Sequence, residues 1–145
     1  MSSTPADALL ETQVFWTRYQ RPIMLGLVAA LVVLAVFGAY RLYTVRRDKA
    51  AATLLASARS ADDFQKVIAD YSGAPAAPSA ALLLANEQRK AQKFAEANTT
   101  LQEFIKRYPK HQLITTAKMA VAANLESLGK ADEALETYRR IAAEH

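Results

Sequence analysis

Three stretches of the sequence are variants of one pattern and begin 37 positions apart: FQKVIADY (64–71), LQEFIKRY (101–108) and YRRIAAEH (138–145). In each stretch apolar side chains recur three or four residues apart, which is the spacing of one face of an α-helix. A small residue stands four positions before each stretch: Ser60, Ala97 and Ala134. Self-similarity at such a spacing is typical of helical repeats, in which neighbouring units bury each other's apolar faces.

Apolar stretches also precede the second and third of these segments, so the units are predicted to be helical hairpins. We expect first helices over 78–90 and 112–128, and second helices over the three quoted segments. The residues expected to point inward are Leu82, Leu83 and Leu84 in the former, and Leu113, Ile114, Ala117, Ala120, Val121, Leu125 and Leu128 in the latter. In the first unit the sequence supports only the second helix well.

Helix-ending residues stand at the expected borders. Ser60 is predicted to be the N-cap of the first second helix, with Asp62 and Asp63 favourable in its first turn. Pro109 follows the next second helix, and Gly129 is predicted to end the helix over 112–128 as a C-cap glycine.

A run without charge, PIMLGLVAALVVLAVFGAY (22–40), precedes the repeats. Its length is close to the roughly 20 residues that a helix needs to cross a bilayer. We predict a transmembrane helix over 22–43, with Pro22 in its first turn and small residues such as Gly26 available for close helix contact. Aromatic rings that would lie at the two membrane interfaces are Trp16 and Tyr19 before the run, and Phe37, Tyr40 and Tyr43 at its end.

Two other interpretations of this run are weaker. A domain of this size could not surround so long an apolar helix. A cleaved signal peptide normally has a shorter apolar core and a basic start, whereas Asp7 and Glu11 lie in the segment before this run. For orientation, Arg41, Arg46, Arg47 and Lys49 after the run outnumber the cations before it, which by the positive-inside rule favours a cytoplasmic C-terminal domain.

The sequence therefore predicts an all-α chain with a single N-terminal transmembrane helix followed by an α-solenoid. The predicted segments are an N-terminal tail (1–21), the transmembrane helix (22–43), a juxtamembrane helix that continues it (44–59), and a repeat domain of about two and a half units (60–145). The sequence ends at a second helix without a polar capping helix, so we expect an apolar edge that is covered by a partner, by a second copy of the chain in a homo-oligomer, or by further sequence.

Residues suited to catalysis or metal binding are scarce. The chain has no cysteine, two histidines and four separate glycines. His111 is expected to be a solvent-facing residue at a helix start. The carboxylate pairs, such as Asp132 with Glu133, open helices, where they favour the positive end of the helix dipole. We therefore expect no enzyme and no cofactor, and the dispersed net charge of +4 gives little reason to expect nucleic acid as a partner.

The repeat resembles the tetratricopeptide repeat (TPR) family. Leu84 and Ala85 match its large-then-small pair, and Ala97, Leu101 and Phe104 match its second-helix positions. Gly129 and Lys130 match the turn between helices in the next unit. Departures are the longer period and the absence of first-helix aromatic residues at Ala81 and Gln88.

That resemblance implies that the first helices line one face, which is the expected partner site. Apolar contact would come from Leu82 and Met119, and polar contact from Asn86 and Arg89. The alternative is that another helix of this protein, or its C-terminal neighbour, fills this face. The complete expected site is Leu82, Asn86, Arg89, Lys90, Met119 and Glu126.

The layout of anchor, arginine-bearing juxtamembrane helix and hairpins is similar to the ancillary SecYEG translocon subunit (YfgM-like) family. This similarity implies a single-pass protein of the bacterial inner membrane with its repeats in the periplasm, against the charge count. The expected function is a scaffold or adaptor at a membrane protein complex, in contact with the lipid bilayer. The alternative is a structural accessory subunit of a large respiratory or photosynthetic assembly, which it would contact mainly through the transmembrane helix.

Overall fold

The computed structural model describes residues 5–144, with side chains from residue 20 onwards. In this range the chain is all-helical, as predicted, and divides into two compact units, Met1–Thr44 and Val45–His145. The six helices are α1 (Pro5–Ser57), α2 (Ala61–Asp70), α3 (Ala76–Lys90), α4 (Phe94–Arg107), α5 (Ile114–Ser127) and α6 (Ala131–Ala143).

The predicted anchor and juxtamembrane segments lie on one continuous helix, α1, as expected. The prediction that Pro22 stands in a first turn is wrong, because α1 begins at Pro5 and Pro22 lies inside it. The segment before Pro22 contains the strong helix formers Ala6, Ala8, Leu9, Leu10 and Glu11, which extend the helix backwards. Pro22 itself has no N–H for the carbonyl four residues earlier, so α1 lacks one hydrogen bond there.

Ser60 caps α2 as predicted, through a reciprocal capping box with Asp63. The Asp63 N–H donates to Ser60 Oγ at 3.3 Å, and the Ser60 N–H donates to Asp63 Oδ2 at 3.1 Å. The N–H of Arg59 donates to the same carboxylate oxygen at 3.0 Å. The hydrogen bonds that the Asp63 carboxylate accepts, above all from the Arg59 N–H and then from the Ser60 hydroxyl and N–H, hold the pKa of Asp63 below its ordinary value of 3.8.

Gly129 ends α5, as predicted, in a Schellman motif. Its φ is +74°, its N–H donates to the Glu126 carbonyl, and the Lys130 N–H donates to the Leu125 carbonyl, both at 2.9 Å. The position one repeat earlier is Gln92, with φ of +60°. The same two hydrogen bonds end α3 there, with a side chain in place of glycine.

The main core of the second unit lies where α3, α4 and α5 meet. Phe104 of α4 is 1% exposed and is packed with Leu101 among small and branched residues of the two first helices. Alanines at the contact let the helices approach closely, as the TPR-like pattern predicts. The buried members of this cluster are Ala81, Ala85, Leu101, Phe104, Ala117 and Val121.

The first hairpin is more complete than the sequence indicated, because the end of α1 serves as its first helix. Ala51 is fully buried in a cluster with Val67 of α2 and Ala80 of α3. Arg47 of α1 donates to the Asp70 carbonyl at 2.8 Å, and its guanidinium lies 5.9 Å from the centre of the Tyr71 ring. The sequence predicted a helix over 44–59 but did not indicate that it serves as the first helix of this unit.

Some predicted borders and inward residues also differ. α3 begins at Ala76 and α5 at Ile114, two residues before and two after the predicted starts. Leu83, Leu113 and Leu128 are exposed rather than inward. Leu83 follows Leu82 and precedes the buried Leu84, and three consecutive residues span too wide an arc of a helix to share one face.

Candidate partner-binding face

The two apolar residues predicted for partner contact differ in exposure. Leu82 of α3 packs against the main core cluster and is half-buried. Met119 of α5 is 51% exposed. Met119 therefore offers more free apolar surface than Leu82, and its flexible thioether side chain suits adaptable contacts.

The predicted polar residues of α3 are only partly free to bind. Asn86 is exposed, whereas the Lys90 ammonium forms an ion pair with Glu87 at 2.8 Å. Arg89 is half-buried, and its Nε is buried without a hydrogen-bond partner among the described residues. An unpaired N–H of a cation is costly to bury, which makes Arg89 the polar group on α3 with most to gain from an added acceptor.

Glu126 of α5 is exposed and approaches Tyr138 of α6, with 3.5 Å between the carboxylate and the phenol oxygen. Partial desolvation of the phenol, followed by the negative charge of Glu126, raises the pKa of Tyr138 above its ordinary value of 10.0. Glu126 is therefore engaged with its own hairpin.

His111 precedes α5 and is half-buried rather than solvent-facing as predicted. Its ring meets Phe104 edge-on, with 5.2 Å between the ring centres, and its Nδ1 accepts the Leu113 N–H at 3.2 Å. The histidine thus has a structural position beside the core. No cluster of three or more His, Cys, Asp or Glu that could hold a metal occurs among the side chains described, those of residues 20–144.

The predicted anchor residues lie on α1. Phe37, Tyr40 and Tyr43 are exposed, and Gly26 has no atom near the position of an added Cβ. Trp16 and Tyr19 fall outside the described side chains. The stretch Gln20–Ser57 belongs to a single helix and is long and apolar enough to cross a membrane. Its most apolar part, the apolar window of α1, is wholly exposed.

A groove of about 730 Å³ lies among α2, α3 and α4, and none of the six predicted partner-site residues lines it. Gln65 and Ile68 of α2 line it together with Ala81, Leu84 and Gln88 of α3. The rest of the lining comes from α4 and from Tyr108, which follows it. Sequence reasoning missed this groove because its contributors are far apart in the chain, and only the spacing between helices brings them together.

A buried amide pair joins α4 to α5. Asn124 is fully buried, and its Nδ2 donates to Asn98 Oδ1 at 2.8 Å. Asn124 Oδ1 has no partner within the described part of the chain. The available signal was that Asn98 lies three residues before Leu101 and Asn124 three residues after Val121, which places both on inward helix faces.

At the C-terminal helix, Leu135 is 48% exposed. It stands one repeat after Asn98, whose side chain meets the next first helix. Within α6 this leucine is exposed, whereas the other large aliphatic side chain, Ile141, is buried.

Comparison with known proteins agrees with this architecture. The family model for a tetratricopeptide repeat-like domain matches residues 13–145. Searches of curated proteins and of solved structures returned no significant match. The matched region includes the apolar part of α1 and all three hairpins, and it covers most of the sequence. The chain therefore belongs to the tetratricopeptide repeat-like domain family.

Proposed function

We propose that this chain is a membrane-anchored adaptor, which α1 holds in a bilayer while the hairpins bind other proteins. The observation that carries the proposal is the wholly exposed apolar window of α1. Burying apolar surface is worth roughly 25 cal/mol per Å², so a run of exposed Leu, Val and Ile strongly favours lipid over water. The family match, which begins before this run, treats the apolar helix and the hairpins as one unit.

Anchoring gives the adaptor its physical advantage. A binding module confined to a membrane meets membrane-associated partners at a raised effective concentration, without any additional contact. We propose the first-helix residues Leu82, Asn86, Arg89, Lys90, Met119 and Glu126 as the partner face. Met119 is the central apolar contact because it is the more exposed of the two apolar members.

The compartment is also a proposal. The layout of anchor and hairpins favours the bacterial inner membrane, with the repeats on the periplasmic side next to the translocon. The cations after the apolar run favour the opposite orientation. Protease treatment of sealed vesicles decides between them: cleavage within the hairpins from only one side of the membrane identifies the side on which they lie.

Extraction of membranes at alkaline pH tests the anchor. The wild-type chain should stay with the membrane, whereas Leu27→Arg/Leu31→Arg/Leu34→Arg should be released, since each arginine near the middle of a span costs about 2.5–3.5 kcal/mol. The matched triple alanine variant should remain in the membrane. Release of the wild-type chain would refute the anchor.

Photocrosslinking tests which part of the chain meets partners. A photoreactive residue at Met119 should capture proteins, and the capture should be lost in the presence of Arg89→Glu. The same probe at Gly26 should capture mainly lipid. Protein capture at Gly26 alone would instead support an accessory subunit that binds its assembly through the membrane helix.

A further inference from the structure

The second and third repeat units carry different residues at two equivalent positions, one in the first helix and one near the end of the second helix. The 37-residue offset relates Ala81 to Lys118, and Arg107 to Glu144. In the later unit the Lys118 ammonium pairs with the Glu144 carboxylate, which joins α5 to the end of α6. In the earlier unit Ala81 and Arg107 both line the groove. The groove is therefore open where an ion pair stands one repeat later.

The unpaired charge in the groove is mainly positive. Lys106 and Arg107 line it near the end of α4, and neither has an ion-pair or hydrogen-bond partner in the described part of the chain. Of the two carboxylates in the lining, Glu96 is paired with Lys93 at 3.4 Å, which leaves Glu103. The lining thus has two unpaired cations and one unpaired carboxylate, all near the end of α4.

The remainder of the lining suits a polypeptide. Ile68 is half-buried, and the buried Ala81, Leu84 and Phe104 form an apolar floor beneath the groove. The exposed Gln65 amide has no partner among the residues described, so it is available to a peptide backbone. The volume lies within the range of about 300–1,000 Å³ that is typical of binding clefts.

We propose that the groove between α2 and α4 binds a short segment of a partner protein that carries an acidic side chain beside apolar ones. The carboxylate pairs with Arg107 and Lys106, and the apolar side chains lie over Ala81 and Leu84. The occupant thus supplies the carboxylate that Glu144 supplies to the later unit. The proposal rests on the adaptor function and adds a surface separate from the first-helix face.

The test uses the full chain in detergent and three fluorescein-labelled 12-residue peptides. All three have leucine at four fixed positions and differ only at two positions near one end, which hold Glu, Gln or Lys. In fluorescence anisotropy the Glu peptide should bind about tenfold more tightly than the Gln peptide, because a charge-assisted pair contributes more than a neutral one. The Lys peptide should bind most weakly.

Two groove variants and one control locate the binding. Arg107→Gln should remove most of the preference for Glu over Gln. Ala81→Lys/Arg107→Glu should rebuild the ion pair of the later unit, close the groove and abolish binding, while the thermal unfolding curve shows that the chain stays folded. Arg139→Gln, at an exposed arginine of α6 that belongs to neither surface, should leave binding unchanged.

The outcomes separate this proposal from the adaptor function. Equal affinity for the three peptides, absence of binding, or full binding by the double variant would overturn the groove assignment. If binding is lost in Met119→Glu and kept in the double variant, the first-helix face takes the peptide. The groove assignment then fails while the adaptor proposal stands.

Discussion

Gln92 occupies a backbone conformation that favours glycine. Its φ of +60° places a Cβ near the following carbonyl oxygen, at a cost of about 1–2 kcal/mol for an L-residue. The equivalent turn one repeat later has Gly129. The two turns share their hydrogen bonds and differ in the side chain.

Gln92→Gly should therefore stabilise the chain. The relieved strain exceeds the extra unfolded-state entropy of glycine, which leaves a gain of roughly 0.5–1 kcal/mol in the free energy of unfolding. Denaturant unfolding followed by circular dichroism measures this gain. Gln92→Ala, which keeps the Cβ, should show no such gain, and Gly129→Ala should lose stability; a destabilised Gln92→Gly would contradict the argument.

The amide pair of Asn98 and Asn124 depends on both partners. Asn98→Leu should destabilise the fold by about 1–3 kcal/mol, since it leaves a fully buried amide unpaired. Asn98→Leu/Asn124→Leu should recover most of the loss, because two apolar groups replace both partners. A double-mutant cycle with purely additive losses would disprove the coupling.

At the scale of the helices, the capping residues and turns at the helix ends determine where each helix begins. α2 begins at a capping box, whereas α4 and α6 begin after Lys93 and Lys130 without a side-chain cap. Those two helices instead follow directly on the Schellman turns of α3 and α5. The start of α2 therefore depends on side-chain hydrogen bonds, and above all on the carboxylate of Asp63.

The Asp63 cap should make stability depend on acid. Because its pKa is lower in the folded chain than the ordinary 3.8, its ionisation contributes stability that is present above about pH 4 and is lost as pH falls through the folded pKa. The wild type should therefore exceed Asp63→Asn in stability at pH 6 and converge with it in strong acid. Thermal unfolding at several pH values measures the difference; Asp62→Asn serves as the control, and a constant difference would contradict the linkage.

At the scale of the whole chain, the repeat unit includes the end of α1. Ala51 and Ala58 are buried against α2 and α3, and Leu54 and Leu55 pack beside them. A domain that began at residue 60, as the repeat pattern indicates, would lack these contacts. The compact unit of the structure begins instead at Val45.

Two fragments test this boundary. A fragment of residues 45–145 should unfold cooperatively, whereas one of residues 60–145 should melt at a lower temperature and bind a hydrophobic dye, because Val67 and Ala80 lose their cover. Truncating one buried leucine to alanine lowers the free energy of unfolding by about 2–5 kcal/mol. Deleting Ala51, Leu54 and Leu55 together should therefore destabilise the shorter fragment markedly. Identical melting of the two fragments would show that the end of α1 adds nothing to the repeat.

The helices and their order could be predicted from the sequence because helix formation is read from nearby residues. The spacing of apolar groups, Ser60 before α2 and Gly129 after α5 act over one or two turns. The six proposed face residues follow instead from the resemblance to the TPR family, and their part in binding stays a prediction. Leu83 and Leu113 were misplaced because a short apolar run does not state which of its members face inward.

The sequence by itself determined that the chain is an exposed apolar helix followed by helical hairpins at a 37-residue spacing. Only the tertiary structure decided that α1 supplies a first helix, that Asn98 meets Asn124, and that a groove opens at Ala81. These features depend on the spacing in three dimensions between helices whose residues are far apart in the sequence. That distance is set by the packing of small and large side chains across the whole unit, which no local pattern specifies.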